Sequence, residues 1–140
     1  MNPRIKVITL GVADLEESLA FYRDGMGLPT RGIIGTEFED GAVVFFNMND
    51  DLILALYPQK ALAKDAKVSV GPSSPSTFSL GHIVKSKQEV DALMRQAEEA
   101  GAHVTDPAQD RFWGGYSGYF QDLDGHLWEV AWNPAWEVKE

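Results

Sequence analysis

Residues 46–57 read FNMNDDLILALY and residues 120–131 read FQDLDGHLWEVA. Laid over each other without a gap, Phe46 meets Phe120, Asp50 meets Asp124, Leu56 meets Val130, and Ala55 meets Glu129. The separation is constant at 74 positions (46 to 120, 55 to 129). Each stretch is two apolar runs about a polar turn, the pattern of a strand pair. Half of a small domain is therefore written twice. One copy carries a carboxylate on an apolar strand where the other carries a methyl group.

The flanking sequence repeats in the same order. In the first half, residues 6–12 read as a strand and Asp14 as a helix N-cap, with Glu17 three residues on. Leu15, Leu19, Tyr22 and Met26 recur at helical spacing and are expected to face a sheet. Gly25, Gly27 and Leu28-Pro29 end that helix. Strands are expected at residues 31–38, 42–47 and 52–57, separated by turns at residues 39–41 and 49–51. In the second half, residues 79–85 read as a strand, and Ser86 with Glu89 forms a second capping box. Val90, Leu93, Met94 and Ala97 make the helical stripe, which Gly101 closes. Strands follow near residues 103–105, 115–121 and 126–132, the last two joined by the turn Asp122-Leu123-Asp124-Gly125. Residues 58–76, with two prolines in VGPSSPS, read as a linker with one helical turn.

The expected organisation is one domain over residues 1–140. It comprises a first module at about 1–57, a linker at 58–76, a second module at about 77–134 and a tail at 135–140. A chain of this length can bury a core. Its 44% hydrophobic and 24% charged content is ordinary for a globular protein. No apolar stretch is long enough to span a bilayer as a helix. The opening MNPRIKVITL lacks the apolar core and cleavage site of a signal peptide, so a cytoplasmic location is expected. With no cysteine, thiolate chemistry is excluded, and any metal ligands must be His, Asp or Glu. A net charge of −9 argues against a nucleic-acid partner and favours neutral or cationic ligands.

The stretches VADLEESLAFYRDGMGL, LGHIVKSKQEVDALMRQAEEAGAHV and GYFQDLDGHLWEVAWNP resemble the vicinal oxygen chelate superfamily over essentially the whole chain. That superfamily holds glyoxalase I, extradiol dioxygenases, fosfomycin-modifying enzymes and bleomycin resistance proteins. The resemblance implies an α+β fold in which two βαβββ modules form a U-shaped mixed sheet around a cleft. It implies a homodimer, in keeping with the prevalence of two-fold oligomers. It also implies a metal site drawing up to four side chains from the first and fourth strands of the two modules. Carried over by position, the second module supplies His82 and Glu129. The first-module histidine position, seven residues before Asp14, is Val7; the repeat alone leaves Val7 or Ile8 open. The remaining position is Ala55. Neither Val7 nor Ala55 can coordinate.

A catalytic divalent ion normally has at least three protein ligands. Losing even a supporting partner costs roughly 10–100-fold in affinity. No cofactor is therefore expected, and a divalent metal is the minor alternative. His103, His126, Asp50, Asp51 and Asp124 do not stand at the positions the resemblance requires. His82 and Glu129 read as a hydrogen-bonded pair, with Glu129 as general base the alternative role. The second half also crowds Phe112, Trp113, Tyr116, Tyr119, Phe120, Trp128 and Trp132, with Trp136 beyond. Trp113 and Tyr116, flanking Gly114-Gly115, are candidate ligand walls alongside His82 and Glu129. The expected function is binding or sequestering a small planar or cationic molecule in the cleft. The alternatives are a metal-dependent lyase or dioxygenase of the glyoxalase I or extradiol type, and a metal-independent enzyme with Glu129 as base.

Overall fold

In a computed structural model of the protein, residues 1–72 and 74–139 are described. The chain divides into two compact units, Met1–Pro72 and Ser73–Glu140. The first contains β1 (Val7–Val12), α1 (Leu15–Leu19), β2 (Thr30–Ile34), β3 (Val43–Asn47), β4 (Ile53–Pro58) and α2 (Gln59–Ala66). The second contains β5 (Ser79–Ile83), α3 (Lys87–Glu99), β6 (His103–Asp110), β7 (Tyr116–Gln121) and β8 (Leu127–Trp132). Each unit holds one four-stranded mixed sheet, ordered β1-β4-β3-β2 and β5-β8-β7-β6. The first strand of each sheet runs parallel to the last, and the remaining pairs are antiparallel. The expected α+β class with a repeated strand order is what the chain adopts.

The register makes the repeat physical. Val44↔Leu56, Phe45↔Ala55 and Phe46↔Leu54 in the first sheet match Gly118↔Val130, Tyr119↔Glu129 and Phe120↔Trp128 in the second. Ala55 and Glu129 thus hold equivalent places. The turns match too: Met48 N–H donates to Leu52 O as Asp122 N–H donates to His126 O. Asp51 takes the left-handed backbone (φ 66°) that Gly125 takes in the other copy (φ 90°).

The first strands follow a different separation, with Val7↔Ile53 matching Ser79↔Leu127, a shift of 72 positions (7 to 79). The caps keep it: Asp14 accepts from Glu17 N–H at 3.0 Å and Ser86 Oγ from Glu89 N–H at 3.2 Å. Glu89 Oε2 in turn accepts from Lys85 N–H at 2.6 Å. The strand-to-helix loops are therefore of equal length, against the sequence expectation, and the two extra residues of the second module lie after its helix cap. His82 then corresponds to Leu10, not to Val7 or Ile8. The residue corresponding to Val7 is Ser79.

Two local differences from the sequence reading have clear causes. After Leu19 the helix widens into a π-type turn over Ala20–Gly25. The wider turn sends both Phe21 and Tyr22 into the core, at 3% and 2% exposure, where a regular helix with the expected stripe would use Tyr22 alone. Their rings meet edge to face, with centroids 4.8 Å apart. The expected linker contains α2, which packs on β1 and β4 and buries Ala61 and Ala63. Its N-cap is Pro58, whose fixed φ suits a helix start but which offers no side-chain cap to read.

The cores are short-range and apolar. In the first unit Leu10, Val12, Val44, Phe46, Leu54 and Leu56 lie buried with Tyr22. In the second, Val90, Met94 and Ala97 of α3 lie buried, as do Phe120, Trp128 and Val130 of the sheet. Phe120 and Trp128 stack with their planes 3° apart. Each fully buried side chain of this size contributes about 1.5–3 kcal/mol. Among the described residues, no helix is long and apolar enough to cross a membrane.

Candidate functional site

Alternation sorts the second sheet into two faces. Phe120, Trp128 and Val130 take the face on which α3 packs. Side chains paired across strands share a face, so Leu80, opposite Trp128, and His82, opposite Val130, belong to the helix side. The other face carries one continuous row: Asp106 opposite Tyr119, Tyr119 opposite Glu129, Glu129 opposite Gly81. Gly81 at the end of the row leaves open space, with no atom within 4 Å of where a Cβ would stand.

Arg111 lies across this face. Its Nε donates to Ser117 Oγ at 2.9 Å, its Nη2 to Ser117 O at 2.8 Å, and its Nη1 to Asp106 Oδ2 at 3.0 Å. The guanidinium carbon sits 5.6 Å from the Tyr119 ring centroid. Ser117 is fully buried beneath it. Gln109 Nε2 donates to both oxygens of Asp106, so that carboxylate is held from two sides. Burial, then the charge and hydrogen-bonding reach of Glu129, raise the Tyr119 pKa above the usual phenol range, against the opposing pull of Arg111. Glu129 itself is half-buried.

The four side chains expected to bind ligand separate into two groups. Glu129 stands at the centre of the row. Trp113 joins its side of the hairpin, because the indole lies where a Cβ of Gly115 would be (1.8 Å from Cζ3) and Gly115 stands two residues before Ser117. Tyr116 does not: opposite Trp132 on the helix side, its hydroxyl donates to Asp91 Oδ1 of α3 at 2.6 Å, with Lys87 Nζ 5.4 Å from its ring. His82 does not either. No hydrogen bond joins it to Glu129 among the described residues, and its pKa is lowered from the ordinary 6.5 by lost hydration alone. The expected His82–Glu129 pair is therefore replaced by Tyr119 beside Glu129. The cause is the β5–β8 register, which pairs Gly81 with Glu129 and leaves His82 one residue out of phase.

The family metal set does not fit these residues. Seven residues before the caps stand Val7 and Ser79, and the last-strand positions are Ala55 and Glu129. Only Glu129 offers an ordinary ligand atom, which is one fewer than the sequence suggested. A separate group, Asp122, Asp124 and His126, brings three ligand atoms within 4.8 Å of one another. Its Asp122 carboxylate already accepts from Asp124 N–H, His126 N–H and the His126 ring at 2.8–3.0 Å, bonds that shape the β7–β8 turn.

The sequence reading missed Arg111, Asp106 and Ser117 as site residues. Alternation of Gly115, Ser117 and Tyr119 before the Glu129 strand was a usable signal. Arg111 leaves the strand and folds back, which no periodicity announces.

The chain belongs to the glyoxalase/bleomycin resistance protein/dioxygenase superfamily, whose model matches residues 4–130. It is similar to a glyoxalase-related enzyme from Fulvimarina pelagi: 36% identity, TM-score 0.85, covering 98% of this chain and 93% of that one. It is also similar to a lactoylglutathione lyase from Agrobacterium tumefaciens, at 25% identity and TM-score 0.69, covering 97% and 98% of the two chains. A fosfomycin resistance protein from Listeria monocytogenes shares the fold at 21% identity and TM-score 0.69, covering 96% and 97%. No curated protein matches the chain.

Proposed function

We propose that this protein is a cytoplasmic, homodimeric small-molecule binding member of the superfamily, and that its ligand contacts the Glu129 face without a metal in the family position. The single observation that carries this reading is the row Asp106–Tyr119–Glu129–Gly81 beside Arg111, whose equivalent row in the other unit is Phe45–Ala55–Thr9. All the charged groups of the two equivalent rows belong to one module. A half-buried carboxylate next to a phenol, on a face that an indole joins further along the hairpin, suits a planar or cationic ligand. Phe45 and Val7, 40% and 42% exposed, give the other unit apolar surface for a second copy or a ligand to cover.

A second reading is a metal-independent enzyme with Glu129 as general base. It is favoured by the absence of an ion pair to Glu129 among the described residues, which leaves the carboxylate free to take a proton. The test is a thermal-shift screen of planar and cationic compounds on wild type and Glu129→Gln, before and after chelator treatment. A ligand at a hundredfold excess over its Kd adds about 2.7 kcal/mol to stability. Shifts that vanish in Glu129→Gln and survive chelation are expected. Shifts that need restored zinc, nickel or iron would overturn the metal-free reading. Light scattering checks the dimer, and a monomer mass would refute it.

A further inference from the structure

Arg111 does more than hold its hairpin. A guanidinium has five N–H groups. Three are spent, on Ser117 Oγ, Ser117 O and Asp106. The two that remain have no partner among the described residues. Three anchors and the Tyr119 ring fix the group in one orientation on the face that carries Glu129. A side chain needed only to close the Arg111–Gly115 loop has a backbone bond for that already, Arg111 N–H to Gly115 O at 2.9 Å. A fixed, planar, partly exposed guanidinium with spare donors is the arrangement that selects an oxyanion, since little order remains to be lost on binding. Asp106 balances the charge, so the guanidinium is tolerated at 18% side-chain exposure.

Resting on the ligand-binding reading above, we propose that the ligand is a small amphoteric molecule whose carboxylate is received by Arg111 and whose ammonium or hydroxyl hydrogen is received by Glu129. Tyr119 lies between the two, opposite Glu129 in the ladder and against Arg111, and its ring forms the floor. A chain with an overall negative charge needs a specific cation to accept any carboxylate. The same carboxylate-bearing ligand is then sorted from plain acids by Glu129, which repels a molecule lacking a donor.

The matched probes are β-alanine, which has both groups, propionate, which has the carboxylate only, and propylamine, which has the ammonium only. They are titrated into the full chain while the Arg111 Nε–H resonance and the backbone amides are followed by NMR. β-Alanine is expected to bind at least about tenfold tighter than either fragment, a difference of ~1.4 kcal/mol. Arg111→Gln is expected to weaken β-alanine and propionate by about tenfold and leave propylamine unchanged; Glu129→Gln should do the converse. Arg111→Lys, which keeps charge but loses the fork, should fall between. Equal binding of all three probes, or β-alanine binding unmoved by Arg111→Gln, overturns the proposal. So does a wild-type Nε–H resonance that stays still across the β-alanine titration, a reading that needs no variant to fold. If the probes fail while screened compounds still bind through Glu129, the role of Arg111 falls and the ligand-binding reading stands. If both fail, both fall.

Discussion

Replacing Gly115 by alanine tests the placement of Trp113, the one aromatic from the hairpin tip brought to the Glu129 side. The new Cβ would stand 1.8 Å from Trp113 Cζ3, 2.3 Å from Cη2 and 2.5 Å from the backbone oxygen of Trp132. Unstrained contacts need about 3.5 Å, so the indole must retreat by roughly 2 Å and the Trp132 backbone by up to about 1 Å. Gly115 has no positive φ, so the cost is steric alone. Overpacking of this kind destabilises by about 1–3 kcal/mol. For a chain of this size the thermal midpoint should fall by roughly 3–12 °C. Circular dichroism measures it, the far-ultraviolet for unfolding and the near-ultraviolet for the tryptophan environment. On a Trp113→Ala background the same substitution should cost less, the residue being the clash with Trp132. An unchanged midpoint and near-ultraviolet spectrum in Gly115→Ala, or strict additivity in the double mutant, would refute the indole's position on Gly115.

Three further outcomes are expected. Ser86→Ala removes the α3 cap bond to Glu89 N–H and should cost about 1 kcal/mol, read as a midpoint drop of a few degrees. The His82 pKa is lowered on folding, so the unfolded chain takes up a proton first as pH falls; stability should decline below about pH 6.5, and His82→Gln should flatten that slope in chemical denaturation series. The Tyr119 phenol is raised by burial and by Glu129, so it should ionise late in an alkaline ultraviolet titration; Glu129→Gln should bring one tyrosine back toward its ordinary 10, and no change would sever the Tyr119–Glu129 link.

What the sequence revealed was what repeats. The ungapped FNMNDDLILALY/FQDLDGHLWEVA match specifies strand pairing, turn closure and the Ala55–Glu129 equivalence, because one constant separation runs through both strands and their turn. The caps at Asp14 and Ser86 were legible from two residues each. The first-strand equivalence was misread because two extra residues after the Ser86 cap change the separation from 74 to 72 in β5, so that His82 matches Leu10. His82 leaves the site for a separate reason: β5 pairs Gly81 with Glu129, and His82, one residue on, takes the opposite face. Tyr116 failed for a related reason: it neighbours Gly115 in sequence, but alternation sends it to Asp91. Arg111 and α2 were illegible for want of a local signal, the one leaving its strand and the other starting on a proline.

The outer strand of the second sheet, β6, breaks register on both sides of Asp106 and carries Pro107 next to it. Proline presents no N–H, and each bulge twists the edge away from a straight ladder. A margin built this way makes a poor template for another strand, so neighbouring molecules cannot extend the sheet into a fibre along it. The same irregularity that draws Asp106 into place opposite Tyr119 also removes the straight edge on which strand-to-strand aggregation builds. Straightening β6, by deleting one bulged residue and replacing Pro107 with a β-branched residue, would cost the cluster its acidic arm and solubility at once.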